Sequence, residues 1–265
     1  MILSFRATPM QINKIYCMDV VDFLHDKVDD CTVDLAVVDP PYNLNKAEWD
    51  CFAGQDNFLS FTREWLGLLL PKIKEGGSLY VFNTPFNAAH ILCFLAEQDM
   101  CFQNWIVWDK RDGMSAPRRK YANGQEAILF FTKEGSHVFN YNDIRTPYLS
   151  KERMQHAAKT GILKNGKRWY PNPAGKLCTD VWHFSSARHT QKENGKTQKT
   201  QHLTPKPPEM IRRMITASSR SGDLVLDCFM GSGTTAVVCQ EMGRNFIGCE
   251  KDKAYYRLCM QNIAA

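Results

Sequence analysis

The chain has 265 residues, 44% of them hydrophobic and 23% charged, which suits one large α/β domain or one domain with a sizeable insertion. A net charge of +5 is too small to name a class of partner. There is no signal-peptide core and no apolar run of membrane-spanning length, so a cytoplasmic protein is expected. The ten cysteines contain no C-x-x-C pair, which argues against a zinc site. Several stand in apolar runs, as reduced, buried thiols do.

In chain order, INKIYCM predicts a strand and DVVDFLHDKV a short helix. VDLAVVD is a continuous β-branched run, the signature of a strand buried in a parallel sheet. An amphipathic helix is predicted over Asn57–Leu70, a break at Gly76-Gly77, and a strand at SLYVF. A helix over Ala88–Gln98 and strands at NWIVWD and AILFFTK follow.

From about 140 to 200 the periodicity fades. Between Arg145 and Lys199 twelve Lys or Arg stand against three Asp or Glu, an excess of nine, so the rest of the chain is net acidic. Tyr148, Trp169, Tyr170, Trp182, Phe184 and His189 are interspersed among these charges. A solvated loop accounts for the charge alone, but basic residues interleaved with aromatics favour a nucleic-acid surface. The α/β pattern then returns: PPEMIRRMITASS as a helix, DLVLDCF as a strand, Thr234–Gly243 as a helix, NFIGCE as a strand and a last helix from Lys251. Two strands cannot make a sheet of their own. The expected fold is therefore one doubly wound, mostly parallel sheet built from residues 1–139 and 201–265, with the basic segment 140–200 inserted between them.

Two segments carry chemistry. The first is Asp227-Cys228-Phe229-Met230-Gly231-Ser232-Gly233-Thr234-Thr235, a glycine turn between strand and helix, with Glu250 at the end of the next strand. Strand, turn, helix, strand and acid in this order predict a nucleoside site, with the final acid on the ribose. Gly231-x-Gly233-x-x-Ala236 also fits a dinucleotide fingerprint. However, Asp227 at the strand end would repel a pyrophosphate and attract an ammonium group. S-adenosylmethionine has an ammonium, a ribose and no phosphate.

The second is Asp39-Pro40-Pro41-Tyr42, after the buried strand. The prolines rigidify the corner and leave carbonyls free. A carboxylate and a fixed carbonyl are two acceptors for the two N–H groups of a planar amine, and a tyrosine ring can stack on its base. Pro-Pro after a strand is common as a plain turn. Asp and Tyr around it at the carboxyl end of a parallel strand are more specific, because ligands bind there.

With these motifs the sequence resembles the amino-group DNA methyltransferases: DPPY is similar to their catalytic motif and DCFMGSGTT to their cofactor motif. The order of catalytic motif, basic segment and cofactor motif resembles the β-group. The resemblance implies that Asp39, Pro40, Pro41 and Tyr42 are catalytic. It also implies that Asp227, Phe229, Gly231, Ser232, Gly233, Thr234 and Glu250 bind S-adenosylmethionine. His202-Leu203-Thr204-Pro205-Lys206-Pro207 is similar to the family's H-P-T-Q-K-P segment, which implies Lys206 near the cofactor carboxylate; Leu203 and Pro205 depart from that pattern. Asp19 matches a short acidic motif near the cofactor adenine, and equally reads as a helix N-cap.

The implied reaction is methylation of adenine N6 in double-stranded DNA, within a restriction–modification system whose endonuclease acts on the same site. A homodimer is expected from the family's habit, and no metal. The target amine is inaccessible inside a duplex, so the base should flip out. Arg111, Arg118, Arg119 and Lys120 in one loop, with Lys167 and Arg168 in the basic segment, are the candidate DNA contacts. DPPY accompanies adenine more often than cytosine in the family, which leaves cytosine N4 as the alternative. A nicotinamide oxidoreductase and a catalytically silent nucleic-acid-binding module are the readings from other classes. Asp227 and the DPPY corner speak against the first, and the intact DPPY against the second.

Overall fold

The structure is a computed structural model that describes residues 9–110, 118–185, 190–193, 196–199 and 205–265. Arg111, His189, His202, Leu203 and Thr204 lie outside the described residues.

In chain order the elements are β1 (Lys14–Tyr16), α1 (Val20–Asp26), β2 (Val33–Val38), α2 (Gln55–Leu69), β3 (Ile73–Asn83), α3 (Pro85–Ala96), β4 (Met100–Asp109), β5 (Gln125–Lys133), α4 (Lys151–Thr160), β6 (Ile162–Lys164), β7 (Lys167–Trp169), β8 (Val181–His183), β9 (Thr190–Glu193), β10 (Lys196–Lys199), α5 (Pro208–Ser218), β11 (Leu224–Asp227), α6 (Thr234–Glu241), β12 (Asn245–Cys249) and α7 (Lys253–Ala264). Eight strands form one sheet in the order β1-β12-β11-β2-β3-β5-β4-β8. The run from β1 to β3 is parallel throughout, β5 is antiparallel to both β3 and β4, and β8 is parallel to β4.

The period-two alternation of the strands explains the two layers. Ala36 and Val38 of β2, with Leu79 and Val81 of β3, point into a core covered by α1, α2 and α3 through Phe23, Trp65, Leu66 and Ile91. Leu35 and Val37, with Tyr80 and Phe82, face the opposite core, covered by α5, α6 and α7 through Met210, Met214, Val238 and Cys259. Helices on both faces of a mostly parallel sheet are the doubly wound fold expected from the sequence.

Two local expectations are corrected. Gly76-Gly77 does not end a segment: β3 runs through it, with Gly76 at φ +71 and an irregular register between Val33 and Leu35 of the neighbouring strand. A bulge, which needs an unusual backbone conformation, gives the same glycine signal as a turn. The basic segment also does not stand wholly apart from the sheet. Its Val181–His183 is the eighth strand, and Trp182 is buried in the second core. Val181 is apolar yet exposed beside buried Trp182, so the three residues show no apolar alternation in the sequence.

Candidate active site

β2 and β11 are neighbours, with Leu35 opposite Val225 and Ala36 opposite Leu226. Being parallel, they deliver Asp39 and Asp227 to the same edge of the sheet, although the two lie near opposite ends of the chain. This edge, at the carboxyl ends of the parallel strands, is where open α/β sheets bind ligands.

At the DPPY corner Pro40, Pro41 and Tyr42 are buried, while Asp39 is partly open. The chain leaves the corner through Asn43 and Asn45, both at positive φ. Asp50, which is fully buried, gathers this loop. Its carboxylate accepts hydrogen bonds from the backbone N–H groups of Tyr42 (2.6 Å), Asn43 (2.8 Å), Leu44 (3.0 Å) and Lys46 (3.3 Å). From α3 the Asn87 amide donates to the Tyr42 carbonyl at 2.8 Å. Burying these groups is tolerable because each is paired.

The side chains of the corner meet a charge cluster that the sequence reading did not anticipate. The Tyr42 hydroxyl lies 2.9 Å from Asp39 Oδ1 and 3.0 Å from Glu126 Oε2. Burial, with Asp39 and Glu126 beside it, pushes the Tyr42 hydroxyl well up, so it stays a donor. Lys206 donates from Nζ to Asp39 Oδ2 at 2.5 Å and lies 3.7 Å from Glu126 Oε2. Lys110 donates to the other Glu126 oxygen. Burial alone would favour a neutral Lys206, but Asp39 and Glu126 outweigh it and hold the ammonium above the usual lysine range. Lys206 is therefore bound to the DPPY acid, which the sequence had not suggested, although Asp227 also acts on its charge.

At the glycine turn, Asp227 closes β11. Its Oδ1 accepts from the Phe229 backbone N–H at 3.0 Å, and its Oδ2 from the Thr235 hydroxyl at 2.6 Å. Burial pushes this carboxyl up to about 7, against those two hydrogen bonds and with the help of nearby Asp39 and Glu250. Glu250, just past β12, accepts from the Gly231 N–H and from the Asp252 N–H, both at 2.8 Å. Burial pushes its carboxyl up as well. Phe229 meets Trp65 edge-on, ring centroids 5.2 Å apart. Asp19 is the N-cap of α1, accepting from Val21 N–H at 3.0 Å, and pairs with Lys251 at 2.9 Å. Asn262 of α7 holds the Ser232 carbonyl at 2.8 Å.

One cleft of about 770 Å³ is lined by Asp39, Tyr42, Glu126 and Lys206 together with Asp19, Asp227, Phe229, Gly231, Ser232, Thr234 and Glu250. Gly233 is not among the lining residues. It is the N-cap of α6 at φ +85, and a Cβ there would lie 2.6 Å from Cys259 Sγ. The fold thus demands this glycine. Gly233→Ala should lower unfolding stability by about 2 kcal/mol through left-handed strain and overpacking. Urea denaturation measures this, and an unchanged midpoint would refute it.

The donors and acceptors suit S-adenosylmethionine better than a dinucleotide. Two carboxylates flank the turn, and the Gly231 N–H that a pyrophosphate would use already serves Glu250. The comparison with known families decides the class: a model of the DNA methylase family that spans the N6 and N4 amino methyltransferases matches residues 33–261. The chain belongs to this family. The methylase is 57% identical over 246 residues to the type II methyltransferase M1.MboII of Moraxella bovis, covering 93% of this chain and 94% of that one. A solved complex of M1.HpyAVI with S-adenosylmethionine is 25% identical, with a TM-score of 0.61, over 94% of this chain and 98% of that one. The PvuII DNA methyltransferase, described as cytosine-N4-specific, shares the fold at a TM-score of 0.69 and 15% identity, over 96% and 87% of the two chains. The methylase is a DNA methyltransferase, and S-adenosylmethionine is its cofactor.

Of the candidate DNA contacts, Arg118, Arg119 and Lys120 are exposed between β4 and β5. Lys167 and Arg168 are exposed on the β6–β7 hairpin beside half-exposed Trp169 and Tyr170. Sequence reasoning missed Asp50, Lys110 and Glu126. The last had a signal: it precedes Ile128 and Phe130 in the same phase of β5, so it points into the core side of the sheet.

Proposed function

We propose that the methylase transfers a methyl group to adenine N6 in double-stranded DNA, as the modification partner of a type II restriction endonuclease acting on the same site. The observation that carries this reading is the meeting of the DPPY acid and the Asp227–Glu250 pair in one cleft. Asp227 takes the ammonium of S-adenosylmethionine, Glu250 its ribose, and Phe229 and Asp19 flank its adenosine. When bound, this cofactor supplies a methyl group already activated on sulfonium sulfur, so neither a metal nor a covalent enzyme intermediate is needed. Asp39 and the Pro40 carbonyl accept the two N–H groups of the flipped base, which localises the nitrogen lone pair for attack. Tyr42, which lines the same cleft, is the stacking partner of the base. Asp39 takes the proton that the amine sheds. In the amino-group methyltransferases that the sequence resembles, DPPY accompanies adenine more often than cytosine, which supports adenine over cytosine N4. Digestion of methylated plasmid DNA to nucleosides, read by mass spectrometry, tests the assignment: N6-methyladenine supports it, and N4-methylcytosine overturns it. Among the described residues no helix is long and apolar enough to cross a membrane.

The ammonium assignment predicts a pH dependence. With the Asp227 carboxyl near 7, cofactor binding below that pH must expel a proton. Affinity should fall as pH drops below about 7, approaching tenfold per unit. Calorimetry at neutral pH, in buffers of different ionisation heat, should show proton release. Flat affinity with no proton release would remove Asp227 from the ammonium site.

The basic segment, residues 140–200, is proposed to contact DNA. Log affinity should fall steeply with log salt, by about 0.9 per neutralised phosphate. Replacing Lys167 and Arg168 together with alanine should flatten that slope by between about 1 and 2 and leave cofactor affinity intact. An unchanged slope would place DNA elsewhere.

A further inference from the structure

We propose that Glu126 is a positioning residue for methyl transfer: it is the second anion that draws Lys206 and the Tyr42 hydroxyl off Asp39 when the substrate amine arrives. The inference rests on the reading of Asp39 as the amine acceptor.

Both oxygens of Asp39 are engaged, Oδ1 by the Tyr42 hydroxyl at 2.9 Å and Oδ2 by Lys206 at 2.5 Å. An ion-paired carboxylate is a weaker acceptor for a further donor, since its charge is already partly neutralised. The Tyr42 hydroxyl has one proton and two carboxylates within reach, Glu126 being 3.0 Å away. It donates to one at a time. Lys206 is placed in the same way, 3.7 Å from Glu126, and its ammonium is enclosed by the rings of Tyr42, Phe82 and Trp108, whose centroids lie 5.3, 5.2 and 5.9 Å from Nζ. Inside that aromatic box, a lysine released from Asp39 has Glu126 as its nearest anion. Moving from one acid to the other keeps Lys206 paired throughout, so the shift avoids the penalty of an isolated buried charge. Lys110 holds the far oxygen of Glu126 and fixes the carboxylate in place. Glu126 feels burial first, which pushes its carboxyl up, but Lys206 and Lys110 outweigh this and keep it below the usual range, so it is an anion at neutral pH. Glu126 touches neither the amine nor the cofactor in this scheme.

The test is single-turnover methyl transfer to DNA with cofactor and DNA saturating. Glu126→Gln keeps the shape and loses the charge, so Lys206 stays on Asp39. Its rate should fall about thirtyfold, while the dissociation constant for S-adenosylmethionine changes by less than about threefold. Glu126→Asp keeps the charge on a shorter arm and should be faster than Glu126→Gln. If Glu126 only fills space, the isosteric Gln should be the better of the two. A wild-type rate for Glu126→Gln, or Gln faster than Asp, overturns the proposal. Should Glu126→Gln fail to fold, Lys110→Met carries the test. It frees the carboxylate that Lys110 holds, so Glu126 no longer meets Lys206 and the Tyr42 hydroxyl at a fixed distance, and transfer should fall about tenfold with S-adenosylmethionine affinity unchanged; a wild-type rate overturns the proposal. If Asp39→Asn transfers normally, the underlying reading of Asp39 has failed. If Asp39→Asn is inactive and Glu126→Gln is normal, only the role of Glu126 has failed.

Discussion

Asp39→Asn should reduce single-turnover methyl transfer by about a thousandfold or more, while the protein folds and binds S-adenosylmethionine as before. Such a loss corresponds to roughly 4 kcal/mol of transition-state stabilisation. The change keeps the size of the side chain but removes the anion, and its amide can turn an N–H toward the amine it should receive. An acceptor matters most as positive charge builds on the attacking nitrogen, so the rate should suffer far more than DNA affinity. Lys206 and the Tyr42 hydroxyl both have Glu126 as a second partner, so neither is stranded by the substitution. Cofactor affinity should survive because Asp227 ends β11 and Glu250 follows β12, separate strands from the one that carries Asp39. Labelled methyl transfer to DNA measures the rate. Near wild-type transfer at saturating cofactor and DNA would reduce DPPY to a rigid corner.

The two motifs were legible because each is written in consecutive residues. VDLAVV and LVLD are apolar runs with little polar interruption, which only a strand covered on both faces tolerates, and the acids at their ends fall at the carboxyl edge by topology alone. What joins the motifs was not legible. Glu126 reaches the cleft because β5 runs antiparallel to β3, which brings its first residues to the edge where the parallel strands end. Lys110 follows the end of β4, two residues past Trp108, which lies opposite that acid. Neither residue has its partner within hydrogen-bonding reach in sequence; their pairing exists only once the strand order is known. Asp50 was hidden for another reason: its four partners are backbone N–H groups, which every residue type but proline can provide. In the basic segment, α4 and β8 escaped because charge masks the helical period in the first and three residues are too few to show one in the second.

Asp227→Asn should weaken S-adenosylmethionine binding by about a hundredfold, the loss of one buried charge-assisted contact of about 3 kcal/mol. The fold should tolerate it. The asparagine carbonyl can still accept from the Phe229 N–H, and its amide can donate to the Thr235 hydroxyl in place of accepting from it. Stability should respond with a sign opposite to that of a paired acid. The folded-state carboxyl of Asp227 lies near 7, above its ordinary 3.8, so the folded protein holds a proton that the unfolded chain has already released. Its contribution is therefore most favourable at low pH and is lost as pH rises from about 4 through 7. Asparagine has no such dependence. Without cofactor, Asp227→Asn should gain on the wild type as pH is raised across that window, and be more stable than it at about pH 8. Denaturant midpoints at several pH values, taken beside calorimetric titration with S-adenosylmethionine, read both effects. Unchanged cofactor affinity would leave Asp227 with a purely local task, holding the Phe229 N–H and the Thr235 hydroxyl. A pH-independent stability difference would mean that its carboxylate ionises in the folded protein as it does in water.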